Sequence, residues 1–183
     1  MAGVRILMKK FLPLLFWVSL GCWGQQQPYE VNAFMVKVED VIPIFKEFET
    51  QRVETSFAAF IATVGGQDLN LQFSIEEGKP GFDWVLLAPR NVQDQEKFLE
   101  YARRAGFHVI RKSGNGVDYY RASVSREMPP IRVKNSDGSF TELDKSLYLA
   151  LLCHGILTDM YGLKSESEIG LYAKRVKIGG QKF

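Results

Sequence analysis

The sequence predicts a single α+β domain: an antiparallel sheet packed by helices, in the order helix, hairpin, helix, hairpin, helix. Three observations carry that reading. Residues 69–76 alternate apolar and polar without error, as a strand with one buried and one wet face requires. Apolar residues recur at helical spacing before and after that strand, in segments ended by glycine. Turn-rich stretches at 77–81 and 113–116 each separate two apolar runs, the arrangement of a hairpin.

Taken in order, residues 31–38 are apolar and β-branched enough for a short strand. Glu39 and Asp40 precede Pro43, which suits a helix start because proline lacks a donor that the first turn leaves unpaired. Ile44, Phe45, Phe48, Phe57, Phe60, Ile61 and Val64 predict a helix over 45–64, or two shorter ones divided near Gln51-Arg52. The strand 69–76 and a more continuously apolar strand over 82–88 make the first hairpin, closed by Pro89. Asn91 is placed to cap the next helix, striped by Val92, Phe98, Leu99, Ala102 and Ala105 and stopped by Gly106. Residues 107–111 and 117–124 form the second hairpin. Thr141 with Asp144 predicts a capped helix from 141 to 161, ended by Gly162. A sheet of four or five strands within 35–163 follows, with Leu69, Leu71, Phe73 and Ile75 in the core. Residues 171–178 fit either a strand or a loose basic segment. No period of about 20–50 residues repeats, so a solenoid is excluded.

The first 24 residues read differently. Arg5, Lys9 and Lys10 precede an apolar run over 11–20, and small residues follow at Ser19, Gly21 and Gly24. That is the pattern of a secretory signal, and the run is short of the about 20 residues a spanning helix needs. Cleavage after Gly24 or after Gly21 leaves a soluble periplasmic or secreted protein. Residues 19–22 also resemble a bacterial lipobox, with Cys22 as the lipidated residue of an outer-membrane lipoprotein. The expected organisation is a signal at 1–24, a linker at 25–34, the domain at 35–163 and a tail at 164–183.

Export revises the charge. The chain carries 23 basic and 21 acidic residues, net +2. Three of the basic ones and none of the acidic ones lie in the signal, so its removal leaves net −1. A nearly neutral domain has no general attraction for nucleic acid, and none is expected as a partner. Membrane contact is expected only through the signal or a lipid on Cys22.

Within 45–163 the wording resembles the YbjN-like and type III secretion chaperone-like (TY-Chap-type) domains. The matching features are the helix ending Tyr101-Ala102-Arg103-Arg104-Ala105-Gly106-Phe107, the strand residues Tyr119-Tyr120-Arg121, and the final helix ending Tyr161-Gly162-Leu163. The resemblance implies a secretion-chaperone-like α+β domain that binds polypeptide partners or dimerises, without catalysis. Chaperones of that group act in the cytoplasm, which is the alternative if the signal is retained.

Catalytic candidates are few. Cys153 and His154 are consecutive, and consecutive helical residues diverge by about 100°; Cys153 shares a face with Leu149, Ile156 and Met160, which places it in the core. His108 and His154 lack ligand spacing, so no metal is expected, and no phosphate loop or other cofactor motif occurs. Arg103-Arg104 and the Lys174-Arg175/Lys177 cluster are simplest as solvated charge, with anionic lipid as the alternative for the tail. Asp68, Glu76, Glu77 and Asp83 gather about the first hairpin, where two carboxylates dividing acid and base roles would make an exported hydrolase. The preferred expectation is an exported, non-enzymatic protein-binding domain, chaperone-like or adaptor, of the bacterial cell envelope. Its partner, or a second copy, is expected to meet Trp84 and Tyr120 on a wet sheet face, or Leu147, Tyr148, Leu151 and His154 on the outer side of the last helix.

Overall fold

Leu69, Leu71, Phe73 and Ile75 are all enclosed, none more than 1% exposed, and the strand that carries them sits at the centre of the sheet. This computed structural model describes residues 31–114 and 116–174. Nine strands and four helices follow in order: β1 (Val31–Lys37), α1 (Val41–Gln51), β2 (Phe57–Val64), β3 (Gln67–Glu76), β4 (Lys79–Val85), α2 (Pro89–Gln93), α3 (Gln95–Arg104), β5 (Phe107–Gly114), β6 (Val117–Val124), β7 (Ile131–Lys134), β8 (Phe140–Leu143), α4 (Leu147–Gly155) and β9 (Glu168–Lys174). Seven strands form one sheet in the order β1-β9-β2-β3-β4-β6-β5, and β7 with β8 make a separate hairpin. Every described pairing is antiparallel. The molecule is a single α+β domain.

Period-2 alternation sends one set of side chains from each strand toward the helices. Phe60, Phe73 and Phe82 from three adjacent strands meet Phe45 and Phe48 of α1 and Phe98 of α3. Phe73 lies edge-on to Phe45 at 4.7 Å, and the Trp84 ring stacks on Phe98 at 4.6 Å. Such contacts add about 0.5–1.5 kcal/mol each beyond the area they bury. Leu149, Cys153 and Ile156 complete this layer from α4 and the π-helical turn Ile156–Met160 that extends it.

Several expectations need correction. The segment over 45–64 is not helical throughout: α1 stops at Gln51, Arg52 takes a left-handed φ of 42°, and Phe57–Val64 is β2. Its apolar residues are buried on both faces of the sheet, and a short run apolar on both faces does not separate strand from helix by periodicity. The helix expected over 141–161 is shorter, because Thr141 lies in β8; the Asp144 carboxylate accepts the Ser146 amide at 2.8 Å, and α4 starts at Leu147. The sheet has seven strands and extends beyond 35–163 at both ends, because β9 inserts between β1 and β2 and pairs with each. The 82–88 strand is β4, displaced toward the turn. The expected signal, Cys22 and the basic residues beyond Lys174 lie outside the described residues.

Candidate functional site

The helices cover one face of the sheet, so the alternate set of side chains builds the other. On β3 these are Asn70, Gln72, Ser74 and Glu76; on β4 they include Asp83 and Val85, and on β6 Tyr119 and Arg121. They line or adjoin a groove of about 280 Å³, walled by Phe57 and Ile61 from β2, Val85 and Val117, with Leu87 and Pro89 at one end.

Its floor contains a connected set of charges. Arg121, only 7% exposed, lies directly across the β4–β6 ladder from Asp83, which is 2% exposed. Arg121 Nη1 donates to Asp83 Oδ1 at 2.8 Å and to Ser74 Oγ at 2.7 Å, while the Ser74 hydroxyl donates to Asp83 Oδ2. Nη2 reaches the Lys79 carbonyl at 3.2 Å, and Nη1 lies 3.4 Å from Glu76 Oε1. Glu76 also accepts from Lys112 Nζ at 2.6 Å and from the Tyr119 hydroxyl at 2.9 Å. Two carboxylates therefore face two cations, and the set is neutral.

The environments tune these groups in opposite senses. Burial pushes the Asp83 carboxyl upward; the charge of Arg121 and the Ser74 hydroxyl oppose the rise without cancelling it. Burial also opposes ionisation of Glu76, but there the Lys112 hydrogen bond, the Arg121 charge and the Tyr119 hydroxyl prevail and hold it below its usual range. Tyr119, desolvated and bound to Glu76, is pushed up to about 12.

Asn91 closes the end of the site. Its fully buried amide takes the place of a missing strand residue: Oδ1 accepts the Asn70 backbone N–H at 2.8 Å, and Nδ2 donates to the Asn70 carbonyl at 2.6 Å. Trp84 Nε1 donates to the Asn91 carbonyl at 2.9 Å. The role expected of Asn91, a helix cap, is thus replaced by a clamp on β3.

Of the carboxylates singled out in the sequence, the fold brings Asp68, Glu76 and Asp83 to this groove, whereas Glu77 sits exposed in the β3–β4 turn. Trp84 is fully enclosed against Phe98 and offers no surface, because β4 turns it toward the helices. Tyr120 shares that face, half-buried, with its hydroxyl 3.4 Å from Gln95 Oε1. Leu147 is buried, not on a wet stripe, because α4 begins there with its first turn against the core; Leu151 alone of that pair is exposed, at 42%. Tyr148 is half-buried and donates to the Pro129 carbonyl at 3.2 Å, and His154, six residues on along α4, is half-buried as well. Cys153 is completely buried, and desolvation drives its thiol far above the usual range, which suits a core residue and opposes nucleophilicity. Among the described residues no group of three His, Cys, Asp or Glu side chains is placed to hold a metal ion, and no helix is long and apolar enough to cross a membrane.

Arg121, Ser74 and the amide pair Asn70 and Gln72 escaped sequence reasoning as site residues. Their signal was the polar half of each strand's alternation. It becomes a site only when β4 pairs with β6, a non-sequential neighbour. Comparison with known proteins gave no match to a family model, a curated protein or a solved structure.

Proposed function

We propose that this chain is a non-catalytic protein-binding domain, carried out of the cytoplasm by its first 24 residues, with the helix-free face of the sheet as its contact surface. The observation that supports it best is the groove itself: aliphatic and aromatic walls over a floor whose Glu76 and Asp83 carboxylates are already engaged by Lys112 and Arg121. Apolar walls around a few fixed polar groups are the usual composition of a binding site. The secretion-chaperone-like reading is supported by the sequence resemblance over 45–163.

A hydrolase is the second reading, because Asp68, Glu76 and Asp83 share one groove. Acid–base catalysis needs a carboxyl able to exchange its proton with substrate. Asp83 is enclosed and bonded to Arg121 and Ser74, and Glu76 is ion-paired, which weighs against that use.

The test is photo-crosslinking in the cells that make the protein, from a benzophenone amino acid at Ile61 in the groove and at the exposed Arg103 on α3. Discrete polypeptide adducts from position 61 and not from 103 are expected. Equal yields from both, or none from 61, contradict the proposal. A hydrolytic turnover abolished by Glu76→Gln, with no adduct from 61, favours the hydrolase.

A further inference from the structure

We infer that the groove takes an extended, non-acidic polypeptide segment, laid along β3 and held through the side-chain amides of Asn70 and Gln72. This deepens the binding function proposed above and rests on it.

β3 lies in the middle of the sheet. Its backbone is laddered to β2 on one side and to β4 on the other, and Asn91 completes the ladder at Asn70. A partner therefore has no edge of β3 to extend and must be held by side chains. Asn70 and Gln72 are two residues apart on the same face, which sets them about 6.8 Å apart along the strand. That is also the repeat of same-side groups in an extended peptide. Each primary amide offers both a donor and an acceptor, the complement of a peptide group.

Neither side-chain amide makes a hydrogen bond among the described residues, and the Asn70 Oδ1 is buried without one. Most buried side-chain polar atoms do have a partner, so the unmatched Asn70 Oδ1 calls for a ligand donor, and the half-buried Gln72 amide on the same face can bond the same ligand. The neighbouring charges select further. Glu76 and Asp83 are neutralised by Lys112 and Arg121, and Asp68, which accepts from the Thr63 hydroxyl at 3.2 Å, adds a further carboxylate to the lining, so an acidic segment gains no counterion there and must shed water to enter. Ile61, opposite Asn70 on β2, and Val85 in the groove lining favour aliphatic side chains. At about 280 Å³ the groove falls below the range of roughly 300–1,000 Å³ that encloses drug-sized molecules. A few residues of a passing chain suit it better than a whole cofactor.

Recognition through backbone groups tolerates sequence, so a generic peptide is a fair probe. Fluorescence anisotropy of a short fluorescein-labelled peptide of alternating valine and threonine, titrated with the full chain, should show saturable binding, and a valine–glutamate peptide should bind at least tenfold more weakly. Gln72→Leu should weaken binding of the first peptide about tenfold, and Ile61→Glu should abolish it, both variants keeping the parent's urea midpoint within a small shift. No saturable binding up to about 1 mM overturns the inference. Loss with Ile61→Glu but not with Gln72→Leu or Asn70→Ala overturns the amide contact and leaves the groove as the binding face. Unchanged binding by Ile61→Glu overturns both. Binding of dodecanoate but not of peptide overturns both in favour of a lipid ligand.

Discussion

A β-carbon built on Gly81 would overlap the guanidinium of Arg121. Gly81 lies one residue from the β3–β4 turn side of Phe82, directly opposite Ser74, and its missing side chain is the space through which Arg121 reaches Ser74 and Asp83. The glycine and the buried charge pair are therefore one feature.

Gly81→Ala must move Arg121 from partners that are themselves buried. A loss of about 1–3 kcal/mol is expected, the cost of overpacking a filled interior, seen as a lower urea midpoint with little change in slope. An unchanged midpoint means the guanidinium has another place to lie.

Replacing Arg121 by Met leaves Asp83 buried and uncompensated. Breaking such a pair costs about 3–5 kcal/mol, whereas apolar replacement of both members is often neutral. Arg121→Met should thus be strongly destabilised, and the Asp83→Leu/Arg121→Met double variant should recover most of the loss in the same denaturation assay.

Glu76 and Asp83 make opposite contributions to pH dependence. The Glu76 pKa is lower folded than its ordinary value of 4.5, so its contribution to stability is present above that value and is lost as pH falls through the folded one. Asp83, raised by burial, contributes most in acid and loses that contribution as pH rises through its folded pKa. Comparing the parent with Glu76→Gln isolates the first: below about pH 4.5 the parent's stability should fall more steeply than the variant's. Parallel acid limbs would mean that Lys112 and Tyr119 do not favour the ionised form.

The reading of α4 has a simple test. Leu147 is buried and Leu151 exposed. Leu147→Glu should cost about 2–5 kcal/mol, as expected when a core leucine is lost and a charge introduced. Leu151→Glu should lie within about 0.5 kcal/mol of the parent and leave the sedimentation coefficient unchanged. A single exposed leucine needs no partner to explain it.

What the sequence conveyed and what it withheld divide along physical lines. β3 was readable because one face is buried and the other wet, and both hairpins followed from their turns. β2 was misread because Ala58, Ala59 and Phe60 are all fully buried, which erases the period that distinguishes strand from helix. The carboxylates of the groove were noticed, but not their cations. Asp83 and Arg121 are 38 residues apart, and only the pairing of two non-sequential strands makes them neighbours. Asn91 carried the signature of a cap and serves as a clamp, a choice made by tertiary packing against β3 rather than by its own helix.

On our proposal this protein binds through the helix-free face of its sheet. Backbone amide chemical shifts of the isotope-labelled chain, followed while the uncharged valine–threonine peptide is added, test it most directly. The largest shifts should fall on Ile61, Asn70, Gln72, Val85 and Tyr119, with α4 and the β7–β8 hairpin unmoved. Shifts concentrated on α4 or on that hairpin, or no shifts at all, would contradict it.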